Sequence, residues 1–253
     1  MTSRASAPVA AVGFWSAVAA TVFSLAYVVA QLAEWAGWLG SGGGAHNLST
    51  PLGIVLLLTP SLFLGPSFLL LMLSVHYRTP PRRRLWSHAA VVFATIYTAL
   101  ISINYYVQLT WVMPRLAAGR VEGMEMFVFT PFDSFLYAVD ILGYSFMSLA
   151  TLAAARVVVG SGVERVARVG LTANGLLLPF IALQMYVHDL IWIAALWAMT
   201  FPTATWALAI VFRREAPGAR HAGVRAGAAW PESTAKRAAM PSASAAPARN
   251  IAG

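Results

Sequence analysis

The feature that most constrains this chain is a series of apolar stretches, each long enough to cross a lipid bilayer as a helix. A spanning helix needs about 20 predominantly apolar residues, because the hydrocarbon core is about 30 Å thick. Only 10% of the residues are charged, against about 25% in soluble proteins. We therefore predict an all-α integral membrane protein built as a bundle of six transmembrane helices. The predicted spans are 9–34, 52–76, 86–113, 132–155, 168–187 and 189–212.

The last two spans come from one continuous apolar tract between Arg168 and Phe212. A single helix of that length would be roughly 67 Å long, about twice the thickness of a bilayer. The tract must therefore fold back near its middle, where His188 and Asp189 interrupt the apolar residues. The sequence predicts a helical hairpin here.

Basic residues are divided unequally between the two sides of the predicted bundle. Lys and Arg favour the cytoplasmic side of membrane proteins. If the N-terminus is inside, only Arg115 and Arg120 of the 17 basic residues lie outside. We therefore predict that both termini are cytoplasmic and that the protein resides in the inner or plasma membrane. The predicted cytoplasmic set is Arg4, Arg78, Arg82, Arg83, Arg84, Arg156, Arg165, Arg168, Arg213, Arg214, Arg220, Arg225, Lys236, Arg237 and Arg249.

Two polar segments flank the predicted transmembrane domain at 9–213. Residues 1–8 form a short cytoplasmic N-terminus. The segment 214–253 is rich in Ala, Pro, Ser and Arg, a composition that cannot bury a core, so we predict a disordered basic cytoplasmic tail. The net charge of +8 is carried by this tail and by residues beside the apolar stretches. That distribution indicates the lipid bilayer as a partner and not nucleic acid.

Several kinds of catalytic or cofactor site are missing from the sequence. The absence of Cys excludes disulfides, thiolate metal sites and thiol catalysis. There is no HExxH zinc motif and no Walker loop for a nucleotide. The histidines do not fall at matched depths in facing spans, as two haem ligands would. We therefore expect no cofactor and no resident metal, and no motif identifies a catalytic residue.

Polar side chains form stripes along three of the predicted helices. A helix turns about 100° per residue, so positions i, i+4, i+7 and i+11 share one face. Each stripe has its polar groups in the half of the span nearer the predicted outer surface. Gln184 and His188 at the end of the fifth span, and Asp189 at the start of the sixth, extend this polar region. The stripes are Tyr27, Gln31, Glu34 and Trp38; Tyr97, Ile101, Asn104, Gln108 and Trp111; and Asp133, Tyr137, Asp140 and Tyr144.

Asp140 is the deepest carboxyl group in the predicted spans. It lies eight residues inside the fourth span, about 12 Å by the helical rise, and Asn104 lies at a similar depth in the third. Because a charged side chain in hydrocarbon is costly, such residues normally face a bundle interior or a wet cavity. We predict a polar cavity in the outer half of the bundle. Its candidate ligand-binding residues are Asp140, Asp133, Asn104, Gln108, Tyr144, Glu34, Gln31, His188 and Asp189.

Some of these candidates have a simpler explanation. Asp133, Glu34 and Asp189 lie near the membrane surface, where a carboxylate at a helix end is ordinary and the helix dipole favours it at an N-terminus. Asn104 and Gln108 are residue types that commonly hold neighbouring membrane helices together. Asp140 has no comparable route to water, and it is the residue that best supports a functional site.

The sequence leaves three functions open. The first is binding, sensing or transport of a small molecule, ion or lipid through the polar cavity, and the lack of catalytic motifs favours it. The second is a membrane enzyme that uses Asp140, or Asp133 with His188 and Asp189, for acid–base or metal chemistry. The third is an accessory scaffold whose polar stripes only join helices. Homo-oligomer formation also stays open, because six helices make a small carrier.

Overall fold

The computed structural model describes residues 6–44, 47–130 and 132–215, and these residues form helices and connecting loops without strands. Six helical spans within these described ranges are long and apolar enough to cross a membrane. The prediction of an all-helical chain with six spans is confirmed. The predicted tail, apart from its first two residues, lies outside the described residues, as does the N-terminal segment 1–5. The spans are Ala7–Trp35, Pro51–Arg78, Pro81–Ala117, Phe135–Ala155, Val163–Leu183 and His188–Glu215.

Three of the spans are continuous α-helices and three are interrupted. The first, second and fourth spans are α1 (Ala7–Trp35), α2 (Pro51–Arg78) and α5 (Phe135–Ala155). The third joins α3 (Arg84–Val107) to α4 (Met113–Ala117) through the π-turn Gln108–Val112. The fifth comprises α6 (Val163–Leu176) and α7 (Leu178–Leu183), and the sixth comprises α8 (Ile191–Ala194) and α9 (Trp197–Glu215).

The fourth helix begins three residues later than predicted. Ser134 is its N-cap, and the hydroxyl group of Ser134 accepts a hydrogen bond from the Tyr137 backbone N–H at 3.0 Å. Phe132 has a φ of 71°, which is not helical. Asp133 therefore precedes the helix and is exposed, so it does not continue the stripe of Tyr137, Asp140 and Tyr144 as we predicted.

The fifth and sixth spans fold back on each other as predicted, and each is broken once. Pro179 has no backbone N–H, so it cannot donate to the carbonyl group one turn earlier, and the break between α6 and α7 falls at Leu177. The break between α8 and α9 falls at residues 195 and 196. The turn that contains His188 and Asp189 is a short 3₁₀ helix.

The six spans form a closed ring in chain order. α1 packs on α2, α2 on α3, α3 on α5, α5 on α6, α6 on α9, and α9 returns to α1. Large side chains fill the middle of the ring: the Phe68 ring lies 5.8 Å from Tyr97 and 5.5 Å from Phe201, between ring centroids. Two ends follow from this arrangement. The long-loop end carries the connections 36–50, 118–134 and 184–187, and the basic end carries 79–80, the 3₁₀ turn Pro81–Arg83 and 156–162.

Candidate functional site

A cavity of about 340 Å³ lies between the helices in the half of the bundle nearer the long-loop end. This volume falls within the range of about 300 to 1,000 Å³ that is usual for small-molecule sites. Its walls come from α1, α5, α7, α8 and α9 and from the loop 118–134. The lining residues are Tyr27, Val28, Gln31, Leu32, Trp35, Phe129, Phe132, Tyr137, Asp140, Ile141, Tyr144, Ile181, Gln184, Ile191, Ala194, Ala195, Trp197, Ala198 and Met199.

Asp140 is the acidic residue of the cavity wall. It is the sixth residue of α5, about 8 Å along the helix from its start, and its side chain is only 3% exposed. Asn104 on α3 supports it from behind, with Nδ2 donating to Asp140 Oδ1 at 3.2 Å. The neighbouring Tyr105, also on α3, donates its hydroxyl group to the Tyr144 hydroxyl oxygen at 3.4 Å. The carboxyl group is thus held by a neutral donor from α3 while one side borders the cavity.

Tyrosines surround Asp140 and bond to other polar groups of the site. Five of them lie close enough to interact electrostatically with its carboxyl group. Tyr137 donates to Gln184 Oε1 at 3.0 Å, and Tyr27 donates to Gln31 Oε1 at 2.9 Å. These bonds satisfy the amide oxygens of both glutamines. The five tyrosines are Tyr27, Tyr97, Tyr105, Tyr137 and Tyr144.

Two buried donors in residues of the cavity wall lack an acceptor within the described part of the chain. They are the Gln31 side-chain nitrogen Nε2 and the Trp35 ring nitrogen Nε1. An unsatisfied buried donor costs about 1 to 3 kcal/mol. Gln31 and Trp35 both line the cavity, so these donors lie in its wall.

Aromatic rings form a large part of the rest of the wall. Seven of the lining residues are aromatic, and none is Lys, Arg or His. The Trp197 ring lies 5.5 Å from Tyr27 and 5.6 Å from Tyr144, between centroids, so one aromatic surface runs from α1 across α9 to α5. Trp35 also packs against Trp192 at 5.3 Å. Among the residues that line the cavity, Asp140 carries the sole carboxyl group.

The loop 118–134 covers the cavity at the long-loop end. Phe129 and Phe132 are both 3% exposed, and their rings pack 5.7 and 5.1 Å from that of Tyr137. Thr130 fastens this loop to the other long loop, because its hydroxyl oxygen accepts from the Ser49 backbone N–H at 2.8 Å. On the third span, Gln108 donates to the Phe127 carbonyl oxygen. The cover is therefore a packed structure bonded at two points.

On one side the cavity reaches the outer surface of the bundle. Leu32 on α1 and Met199 on α9 line it and are also 58% and 71% exposed. The break between α8 and α9 lies beside this opening, and the small side chains of Ala194 and Ala195 leave space there. Non-helical backbone inside a membrane is tolerated where it is buried in protein or lines a cavity. The opening therefore lies on the flank of the bundle, beside Leu32 and Met199.

The predicted site residues are only partly brought together. Asp140, Gln31 and Tyr144 line the cavity, and Asn104 lies directly behind Asp140. Gln108 bonds to the loop instead, as described above. Five of the nine candidates therefore belong to the cavity or its supports, and the remaining four lie elsewhere.

Those four are Glu34, Asp133, His188 and Asp189, and none of them lines the cavity. Glu34 is 3% exposed and points away, towards α2, where its Oε2 would lie 2.5 Å from a Cβ built on Gly53. Asp133 and Asp189 are exposed. Among the described residues, no three His, Asp or Glu side chains lie close enough together to hold a metal ion.

Several wall residues were not among the predicted candidates. Tyr27 and Tyr137 belonged to the polar stripes and Gln184 to the polar region that extends them, so the sequence contained a signal for all three. Trp35 and Trp197 lay on none of the stripes. Phe129 and Phe132 belong to a loop, and nothing in the sequence indicated that this loop folds over the bundle.

The fold and the site together define a multi-pass helical membrane protein with an aromatic-lined cavity beside a buried carboxyl group. No family model, no curated protein and no solved structure matches this chain. We therefore infer its function from the chemistry of the cavity.

Proposed function

We propose that this protein binds a small molecule within the membrane, in the cavity beside Asp140, and serves as a sensor or carrier for it. The observation that supports this proposal is a buried carboxyl group on the wall of a cavity of about 340 Å³. A scaffold would need the Asp140 side chain bonded across the helix interface with no space beside it. The bond to Asn104 exists, yet the space exists as well.

Binding and sensing have more support than passage through a permanent pore. The rings of Phe68, Tyr97 and Phe201 fill the middle of the bundle. A carrier would have to rearrange these packed rings to release its ligand at the basic end. A sensor needs no such opening, because occupancy of the cavity alone can shift the packing of α1 and α9.

We further propose that the long-loop end faces the outside of the cell, so that both termini are cytoplasmic. In the described residues, nine Arg residues lie on or beside the basic end, whereas Arg115 and Arg120 lie near the long-loop end. Positive residues favour the cytoplasmic side. With this orientation the cavity lies in the outer half of the membrane. The nine residues are Arg78, Arg82, Arg83, Arg84, Arg156, Arg165, Arg168, Arg213 and Arg214.

The enzymatic alternative has less support. Acid–base catalysis of the kind considered above needs a second carboxylate or imidazole near Asp140. Asp133, His188 and Asp189 were the candidates for that role, and they do not line the cavity.

The proposal is tested by blocking the cavity. The protein is placed in phosphatidylcholine nanodiscs and titrated with 1-aminoanthracene, an uncharged aromatic amine whose fluorescence rises in apolar surroundings. We expect saturable binding above the linear partitioning seen with empty nanodiscs.

The substitution Ala198→Phe fills the cavity and should abolish the saturable part. Ala182→Phe is the matched control, because Ala182 is exposed on α7 at the same end of the bundle. Equal binding to all three proteins would contradict the proposal.

A further inference from the structure

We propose that the ligand of this cavity is a hydrophobic organic cation, an amine or quaternary ammonium compound whose charge pairs with Asp140. The inference rests on the proposed function and specifies the class of molecule that the cavity binds. It follows from three properties of the wall: one carboxyl group with no basic side chain beside it, a continuous aromatic surface, and amide oxygens that are already hydrogen-bonded.

The first property concerns charge. A carboxylate buried in a low-dielectric region is costly unless an opposite charge lies nearby. Among the described residues, the Asp140 carboxyl group accepts a hydrogen bond from the side-chain amide of Asn104, which is a neutral donor. No Lys, Arg or His lines the cavity with Asp140. A cationic ligand would supply the charge that the wall itself does not provide.

The second property concerns the aromatic rings. A cation is attracted to the faces of Trp and Tyr rings, and aromatic cages recognise quaternary ammonium groups in this way. The rings of Tyr27, Trp197 and Tyr144 form one surface, with centroid separations of 5.5 and 5.6 Å. Tyr144 lies four residues after Asp140, so its ring and the carboxyl group share one face of α5. Charge pairing and ring contact are therefore available at the same place.

The third property concerns oxygen ligands, and it argues against a small hard metal ion as the ligand. Ca²⁺ and Mg²⁺ require about six or more oxygen ligands. Here the Gln184 and Gln31 amide oxygens are already occupied by tyrosine hydroxyl groups, and most other wall atoms belong to aromatic or aliphatic side chains. An organic cation can pair one charged group with Asp140 and pack its apolar groups against the remaining wall.

The test uses two competitors of the same shape and different charge. Phenyltrimethylammonium is a cation, and tert-butylbenzene is its neutral carbon analogue. Each is titrated against bound 1-aminoanthracene in phosphatidylcholine nanodiscs, whose lipids carry no net charge. We expect the cation to displace the probe at a concentration about tenfold or more below that of tert-butylbenzene.

Two substitutions locate the origin of this preference. Asp140→Asn should bring the two competitors to similar potency, whereas Asp133→Asn, which neutralises an exposed carboxylate outside the cavity, should leave the preference unchanged. Trp197→Leu keeps Asp140 and removes a ring. It should weaken the cation about fivefold and affect tert-butylbenzene less, so it tests the inference even if Asp140→Asn does not fold.

The outcomes separate the inference from the function on which it rests. If 1-aminoanthracene binds saturably and tert-butylbenzene competes as well as the cation, the inference is wrong and the binding function stands. If the cation is preferred equally in the wild type and in Asp140→Asn, charge pairing with Asp140 is wrong. If no saturable probe binding exists in the wild type, both proposals are wrong.

Discussion

The side chain of Asn104 joins α3 to the helix that carries the buried acid. Its Nδ2 donates to Asp140 Oδ1 at 3.2 Å and to the Leu136 carbonyl oxygen, one turn earlier on α5, at 3.1 Å. Asn104 is fully buried. One amide group therefore orients the carboxyl group and fixes the position of the helix on which it lies.

Replacing this amide should destabilise the bundle. We expect Asn104→Leu to lower the free energy of unfolding by about 1 to 3 kcal/mol, because it removes a donor from a buried carboxyl group. Thr95→Val is the matched control on the same helix: Thr95 is exposed and bonds only to the carbonyl group of Val91. The free energies of unfolding of both variants are measured by unfolding them in mixed micelles with increasing dodecyl sulfate. Equal stability of the two variants would contradict the bridging role of Asn104.

The close approach of α5 and α6 depends on a glycine. A Cβ atom built on Gly175 would lie 2.2 Å from Leu152 Cγ and 2.9 Å from the Ser148 carbonyl oxygen. Small residues let membrane helices approach closely, and added volume in a packed core costs about 1 to 3 kcal/mol. We therefore expect Gly175→Ala to lower the free energy of unfolding by about 1 to 3 kcal/mol. A Cβ atom built on Gly65 would lie 3.4 Å from its nearest neighbours, which are atoms of Thr98. Gly65→Ala should therefore lower the free energy of unfolding clearly less in the same assay.

The loop that covers the cavity should loosen when its bond to the other long loop is removed. Thr130→Val keeps the size of the side chain and removes the oxygen that accepts from the Ser49 backbone N–H. Hydrogen exchange at Ser49 should become faster by about tenfold, equivalent to about 1.4 kcal/mol. The control Thr110→Val, at an exposed position on the third span, should leave the exchange rate at Ser49 unchanged. Identical exchange in both variants would show that this bond does not hold the cover.

The orientation of the chain can be read from single introduced cysteines, because the native sequence has none. Cysteines at Gly43 and Gly119 should react with an impermeant thiol reagent added to intact cells, and a cysteine at Ser242 should not. The reason is the excess of basic residues at one end of the bundle. Labelling at Ser242 without labelling at Gly43 would mean that the cavity lies in the cytoplasmic half.

The number of spans was predictable because burying about 20 apolar residues per span dominates the free energy of a membrane helix. Local interruptions were harder to predict. The apolar stretch of the fourth span extends back to residue 132, but the helix begins only after its N-cap, Ser134. The π-turn Gln108–Val112 leaves no mark in the hydropathy of the third span. Such features depend on a few hydrogen bonds, which a sliding measure of hydrophobicity does not detect.

Residues of the site were predictable where their place depends on which face of one helix they occupy. They were not predictable where their place depends on how the helices pack together. Tyr137, Asp140 and Tyr144 share a face and remain together in the structure. Gln31 and Glu34 also share a stripe, yet Gln31 lines the cavity and Glu34 contacts α2 at Gly53. Spacing fixes a direction around a helix axis, whereas the neighbour at each height follows from how the other helices pack.

We propose that Asp140 borders a cavity that a small molecule occupies. Electron cryomicroscopy of the protein in lipid nanodiscs, with a rigid antibody fragment bound, tests it most directly. We predict non-protein density between α1, α5 and α9, in contact with the Asp140 carboxyl group and the Trp197 ring. An Asp140 side chain that faces lipid, or a bundle in which other side chains fill the space beside it, would contradict the claim.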